Sequence, residues 1–333
     1  MYAKFHSIGA YVPSKILSNA DLEKMVDTSD EWILKRTGIS ERRIAAKDEY
    51  TSDMAAKASR IAIERAGLEH SDIDLVVCAT VTPDYFNMPA TSCIISDKLG
   101  IRNVQAFDIS AACSGFVYAI SVAKAFVESG MKKHVLIIGA EKFSSIVDYT
   151  DRSTCILFGD GAGAAVISAT EDKSEAFIDV HASADGSYSD FLMTPAPGSV
   201  HPASHEVIDA GLQFVQMKGN ETFKLAVKTL TKDVKDILAK NKIDSNDIPH
   251  FIPHQANYRI IKAVGDSLKM KEEQVVLTVG KYGNTSAASI PMAINEIWES
   301  GRLKKGELML LDTFGGGLTW ASALLPFAGE SRV

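Results

Sequence analysis

CSGFVYAISVAKAFVESGMKKHVLIIGAE (113–141) and NTSAASIPMAINEIWESGRLKKGELMLLDTF (284–314) decide the fold when they are set side by side. Each begins with a residue capable of chemistry, runs on with an amphipathic stretch, passes an ESG triplet and ends in an apolar strand. Glu128-Ser129-Gly130 and Glu299-Ser300-Gly301 lie 171 residues apart, and the same offset carries Cys113 onto Asn284. Upstream, SDIDLVVCAT (71–80) echoes NDIPHFIPHQ (246–255) at a slightly different offset. Downstream, FGDGAGAAVI (158–167) echoes FGGGLTWASALL (314–325). Self-similarity at a fixed period marks an internal repeat.

Phe116, Ala119, Ile120, Ala123, Phe126 and Val127 recur at helical period, one buried stripe on a helix that follows Cys113. The strands VQAFDI, HVLIIGA and ELMLLDTF are nearly continuously apolar, the mark of strands covered on both faces in a layered α/β sheet. The expected architecture is a duplicated α/β unit, with halves 1–170 and 171–333 and a junction near the polar SATEDKSE (168–175). TPAPGSVHPASHE (194–206) reads as a surface loop, and ETFKLAVKTLTKDVKDILAK (221–240) as a helix. On that helix Lys224, Lys228 and Lys232, with Lys235 beside them, form a basic stripe.

The chain has 333 residues, 46% hydrophobic and 23% charged, a globular composition long enough for a large core. A net charge of −7 disfavours nucleic acid as a partner. No apolar run approaches the roughly 18 residues of a membrane span. The amino terminus lacks the apolar stretch of a signal peptide. Cys78, Cys93, Cys113 and Cys155 include no CxxC pair, against a zinc site or a disulfide framework. The expectation is a reduced, cytoplasmic protein, in which the sequons at Asn220 and Asn284 carry no glycan.

Cys113 stands between a strand and a helix, among the small residues Ala111, Ala112, Ser114 and Gly115. The positive end of a helix stabilises a thiolate and lowers its pKa toward neutrality. His254 ends the strand HFIPH at a place where layered α/β folds bind ligands. Asn284 precedes a helix, and a pseudo-twofold repeat would set it opposite Cys113. Gly315-Gly316-Gly317 offers a backbone that can approach a substrate and donate to an oxyanion. FGDGAG (158–163) is followed by a strand, so it is no dinucleotide loop. His201 and His205 lie in a proline-rich loop, a poor setting for a metal.

These features resemble the thiolase-fold condensing enzymes, and most closely the β-ketoacyl-acyl-carrier-protein synthase III group. The resemblance runs nearly end to end, through SDEWILKRTGISERR (29–43), DISAACSGF (108–116), TDRSTCILFGDGAGA (150–164), MKGNETFK (217–224), IPHQANYRII (252–261), GKYGNTSAASIP (280–291) and DTFGGGLTWASALL (312–325). The combination of Cys, HQAN and GNTSAAS separates this group from elongating synthases, which use two histidines, and from thiolases, which carry a second cysteine near the terminal glycines.

The resemblance implies a thiolase-like duplicated fold layered α-β-α-β-α, a homodimer and an active site of Cys113, His254 and Asn284. It implies transfer of an acyl group, acetyl first among them, from acyl-CoA to Cys113. Decarboxylative Claisen condensation with malonyl-acyl carrier protein follows, with no metal or redox cofactor. The implied oxyanion donors are the N–H groups of Cys113 and Gly317. Trp32 and Arg36 would hold the CoA adenine, Arg152 would assist, and Thr28, Gly219, Asn220, Phe223 and Ile260 would line the pantetheine path. Lys224 and Arg259 would meet the acidic carrier protein. Met88, before Pro89, falls where relatives often have a phenylalanine that closes the acyl pocket from the other subunit. The alternatives are a related condensing enzyme that loads a longer or branched starter for specialised metabolism, and an acyl-binding or thioester-hydrolysing protein.

Overall fold

The computed structural model describes residues 1–332. Five strands lie side by side in the order Tyr2–Tyr11, Gly161–Thr170, His134–Glu141, Leu75–Ala79 and Gln105–Ile109. Four more form a second sheet in the order Asp179–Ala184, Thr319–Pro326, Leu308–Gly315 and His250–Pro253. Both sheets run through the same pairings from their first strand: antiparallel, antiparallel, then parallel. The second has no counterpart of Gln105–Ile109, which is the free edge of the first.

Alternation along the strands builds the layers. In His134–Glu141, Val135 and Ile137 face inward with Phe116, Ile120 and Ile294, whereas Leu136, Ile138 and Ala140 face outward with Met54, Ile63 and Ile95. In the second sheet, Met309 and Leu311 join the inner cluster, and Leu310 packs with Leu230, Val234 and Val264 on the far side. Successive side chains of a strand point to opposite faces, so one apolar run feeds two cores. The helices Gly115–Glu128 and Ser289–Glu299 lie between the sheets. The helices Thr51–Arg65 and Thr91–Leu99 cover one outer face, and Gly219–Asn241 and Tyr258–Ser267 the other. This is the expected five-layered order. The lysine-bearing helix begins two residues earlier than expected, at Gly219, and ends at Asn241.

The repeat is present, but its register at the chemically interesting turns is not the one read from the triplets. Ala112 (φ +47°) and Ser286 (φ +49°) open matching one-turn 3-10 segments, Ala112–Ser114 and Ser286–Ala288. They are 174 residues apart, three more than the triplets, because the first central helix has 14 residues and the second 11. Cys113 therefore corresponds to Ala287, and Asn284 lies two residues before its own turn. A left-handed φ at a non-glycine residue is uncommon, and it concentrates at functional sites.

Two glycines let these turns touch the sheets. A Cβ on Gly139 would lie 2.2 Å from the Ala287 carbonyl oxygen, and one on Gly315 would lie 2.7 Å from the Cys113 nitrogen. Neither position tolerates a side chain without displacing a turn that carries site residues.

Candidate active site

Cys113, His254 and Asn284 come together. Each is 5–6% exposed, and all three line one cavity of about 110 Å³. Its other walls include Gly219, Phe223, Ala256, Asn257 and Ile260. A second cavity, of about 220 Å³, is lined by Val81, Phe143, Ile146, Val215 and Gly316. The two share Cys113, Phe158 and Leu192, so they meet at the sulfur. A larger cleft, about 500 Å³, lies between the strand Asp179–Ala184 and the helix Gly219–Asn241 and contains none of the expected site residues.

The hydrogen bonds preset two donors. Asn284 Oδ1 accepts the Ser286 N–H at 2.9 Å, which leaves the amide nitrogen to the cavity. His254 Nδ1 lies 2.6 Å from Ser289 Oγ, and that oxygen also accepts the Gln255 N–H at 3.4 Å. Nδ1 is the acceptor within reach of the serine proton, so assigning that proton to it satisfies the hydroxyl and puts the ring hydrogen on Nε2. Burial pulls the His254 pKa down to about 3, so the ring is neutral. A neutral imidazole with hydrogen on Nε2 donates without carrying charge.

The thiol departs from expectation. Burial pushes the Cys113 pKa up to about 12, against a hydrogen bond from Ser286 that pulls it down and with the charge of Glu141 raising it further. Cys113 lies inside the 3-10 turn Ala112–Ser114, just before the helix that starts at Gly115. The resting thiol is protonated at neutral pH. Thr313 Oγ1 donates to the Cys113 carbonyl at 2.9 Å and fixes the turn.

The remaining expected residues divide. Arg36 and Arg152 set their guanidinium carbons 4.6 and 4.8 Å from the Trp32 ring centroid. Thr28 Oγ1 is buried without a partner. Asn220 is exposed at the start of its helix and lines neither cavity. Gly316, rather than Gly317, lines the cavity beside Cys113; Gly317, at φ +130°, turns the chain toward Thr319. Arg259 stacks over Phe223 at 5.1 Å, with Lys224 exposed next in the chain. The lysine stripe breaks there: Lys228 and Lys232 turn into the large cleft with Asp179, Asp185, Asp233 and Asp236, and Lys232 pairs with Asp236. Met88 is 81% exposed and touches neither cavity of its own chain. His205 opens a short helix, His205–Asp209, with Ser204 as its cap.

Sequence reading missed Glu141, Ser286 and Ser289. The polar end of an otherwise apolar strand, HVLIIGAE, was the signal for the first. The serines sit within GNTSAAS, where nothing in the pattern separates them from ordinary small packing residues.

The family described as 3-oxoacyl-[acyl-carrier-protein (ACP)] synthase III matches residues 107–186, and its C-terminal counterpart matches 238–327. The β-ketoacyl-[acyl-carrier-protein] synthase III of Sulfurovum sp. (strain NBC37-1) is 86% identical over 331 residues, 99% of this chain and 97% of that one. The protein of that name from Aliarcobacter butzleri (strain RM4018) is 64% identical over 332 residues and the full length of both. A crystal structure of 3-oxoacyl-[acyl-carrier-protein] synthase III from Aquifex aeolicus VF5 is 45% identical, with a TM-score of 0.89 over 97% of this chain and 99% of that one. The fold is that of the thiolase-like condensing enzymes, and the chain is an acyltransferase of that class. It belongs to the β-ketoacyl-[acyl-carrier-protein] synthase III family.

Proposed function

We propose that this chain initiates fatty acid synthesis by moving an acyl group, acetyl by preference, from acyl-CoA to Cys113 and joining it to malonyl-acyl carrier protein. The observation that carries the reading is the meeting of two cavities at the Cys113 sulfur. One fits the arm that delivers a thioester, and the other, walled by Val81, Phe143, Ile146 and Val215, fits the alkyl end of the starter.

In the first step the Cys113 sulfur attacks the thioester carbon and the CoA thiolate leaves. The Cys113 and Gly316 N–H groups are the proposed donors to the oxyanion, with Gly316 taking the place expected of Gly317. In the second step malonyl loses CO₂, and charge develops on its thioester oxygen. His254 Nε2–H and the Asn284 amide donate to that oxygen; the carbanion attacks the acyl-Cys113 carbonyl carbon, the C–S bond breaks with its electron pair returning to the Cys113 sulfur, and β-ketoacyl-acyl carrier protein leaves. Every step moves electron pairs with no net oxidation or reduction, so the proposed reaction calls for no redox cofactor, and no metal is proposed.

Trp32, flanked by Arg36 and Arg152, is the proposed seat for adenine, with Thr28 at its edge and Gly219, Phe223 and Ile260 along the arm. Asn220, at the helix start, is the remaining proposed contact. Base–aromatic stacking is worth about 1–3 kcal/mol, so Trp32→Ala should raise KM for acyl-CoA roughly ten- to a hundredfold with kcat little changed. Steady-state kinetics check this; an unchanged KM would move the adenine elsewhere.

Lys224 and Arg259 are the proposed carrier-protein contacts. The homodimer is supported by exposed Tyr85, Phe86 and Met88 and by the free edge Gln105–Ile109, surfaces that a second copy would cover. Four free cysteines support a reducing, cytoplasmic setting. No described helix is long and apolar enough to cross a membrane.

Intact-mass measurement after exposure to acetyl-, branched and medium-chain acyl-CoA tests the reading. A single acetyl adduct supports it. Selective loading of a longer group would keep the chemistry and change the pathway. No adduct from any donor would remove its basis.

A further inference from the structure

Glu141 takes no part in the condensation just described, yet it is wholly buried at the end of the central strand His134–Glu141. Its two oxygens have separate duties. Oε2 accepts from Thr80 Oγ1, Val81 N, Thr82 N and Thr82 Oγ1 at 2.6–3.1 Å. These bonds fasten the segment whose Val81 lines the larger of the two cavities at Cys113. Oε1 takes a longer bond, 3.3 Å, from Val81 N, and reaches across to the other half of the chain. There it accepts the Ser286 hydroxyl at 3.0 Å, from a residue 145 positions away in sequence.

Ser286 is a residue that needs holding. It sits at φ +49°, in the left-handed region that residues with a side chain seldom adopt. Its own N–H donates to Asn284 Oδ1 at 2.9 Å. A backbone N–H can only donate, so this bond decides which end of the Asn284 amide is oxygen and turns the NH₂ to the cavity. The Asn284 main chain is fastened separately. Its N–H donates to the Leu157 carbonyl at 2.8 Å, and its carbonyl accepts the Gly159 N–H at 2.9 Å. The backbone at 284 is thus fixed by one set of bonds, whereas the rotation of its side chain is left to Ser286.

We propose that Glu141 is a positioning residue for the decarboxylation half of the reaction. Through Ser286 it holds the left-handed turn, and the turn holds the Asn284 amide with its NH₂ toward the malonyl thioester oxygen. No bond is made or broken at Glu141. The arrangement keeps the two half-reactions apart. Cys113 has a bond of its own, from Thr313 Oγ1 to its carbonyl at 2.9 Å, and the starter wall has the Oε2 set. Cutting the bond between Oε1 and Ser286 should therefore spare acyl loading.

Ser286→Ala makes that cut. It keeps the N–H to Asn284 and leaves Oε2 with all its donors. Loss of one hydrogen bond to a charged acceptor should slow CO₂ release from malonyl thioester by acyl-loaded enzyme roughly tenfold. Loading from acyl-CoA, read by intact mass, should stay near the wild-type rate. Ser286→Gly relieves the left-handed strain but equally lacks the hydroxyl, so it should lose at least as much. Glu141→Gln keeps its oxygen for the donors at Oε2 and turns an NH₂ to Ser286, so it should also slow CO₂ release and spare loading.

The cycle with Asn284→Ala separates positioning from general damage to the fold. If Glu141 and Ser286 act through the amide, neither Ser286→Ala nor Glu141→Gln should slow Asn284→Ala any further. If Glu141→Gln does not fold, Ser286→Ala carries the test. A loss that multiplies onto that of Asn284→Ala would overturn the assignment. So would Ser286→Ala slowing loading and CO₂ release alike, or Ser286→Gly recovering the wild-type rate. The inference rests on Asn284 as a donor to the malonyl oxygen, and the two can fail separately. A slow Asn284→Ala beside an unimpaired Ser286→Ala would overturn the positioning alone, whereas an unimpaired Asn284→Ala would overturn both.

Discussion

Serine in place of Cys113 will leave the protein unable to take an acyl group from CoA, with loading slower by on the order of 10⁴-fold. The sulfur sits where the two cavities join, so no other side chain is placed to replace it. A hydroxyl there is a weaker acid than the thiol, and the thiol is itself held up to about 12 by burial. The turn should survive, because Thr313 and the backbone beside Gly315 hold it rather than the sulfur. Intact mass reads the outcome: one adduct per chain in the wild type and none in the variant over the same interval. An adduct on the variant at the wild-type rate would place the nucleophile elsewhere. Cys93 would then be the first to examine, as Cys78 and Cys155 are buried.

His254→Ala and Asn284→Ala should divide the reaction at its middle. Each should load acyl groups like the wild type, and each should lose roughly 10²–10³ in the rate of malonyl decarboxylation, the usual effect of removing one donor to a developing oxyanion. The two side chains act on one oxygen, so the double variant should lose less than the product of the single losses. Release of CO₂ from malonyl thioester by acyl-loaded enzyme gives the measurement. Normal decarboxylation in both single variants would show that the charge is held by other groups. Ser289 gives a finer check on the same point: it presents the ring with its hydrogen toward the cavity, so its loss should resemble a weaker form of His254→Ala.

Much of the fold was legible because apolar strands and amphipathic helices write their periods directly into the chain. HVLIIGAE became a strand at the residues expected, 134–141, and the Cys113 stretch became a helix from Gly115. The convergence of Cys113, His254 and Asn284 was legible through quoted motifs and the repeat. The register of that repeat was not. A three-residue difference in helix length is invisible to a triplet at the C-terminal end, so Cys113 was paired with Asn284 when its counterpart is Ala287. The acidity of the thiol was misjudged because the sequence does not show how completely Cys113 is buried, and burial is the main cause of its raised pKa. The lysine stripe failed for a different reason. Period placed Lys224, Lys228 and Lys232 on one face, but only the packed structure shows the last two lining a cleft against the strand Asp179–Ala184, with Lys232 paired to Asp236 on its own helix.

The innermost cluster draws on both sheets and both central helices, with Phe5, Val77, Ile137 and Ile167 beside Ile252, Leu311, Ala323 and Leu325. The duplication therefore did not yield two tenants with separate dwellings. A chain cut between the halves would expose this shared interior on each fragment. That mutual dependence gives the catalytic turns a rigid common floor. Heat or denaturant should dismantle the molecule in a single step, with the chemistry lost only when everything else is.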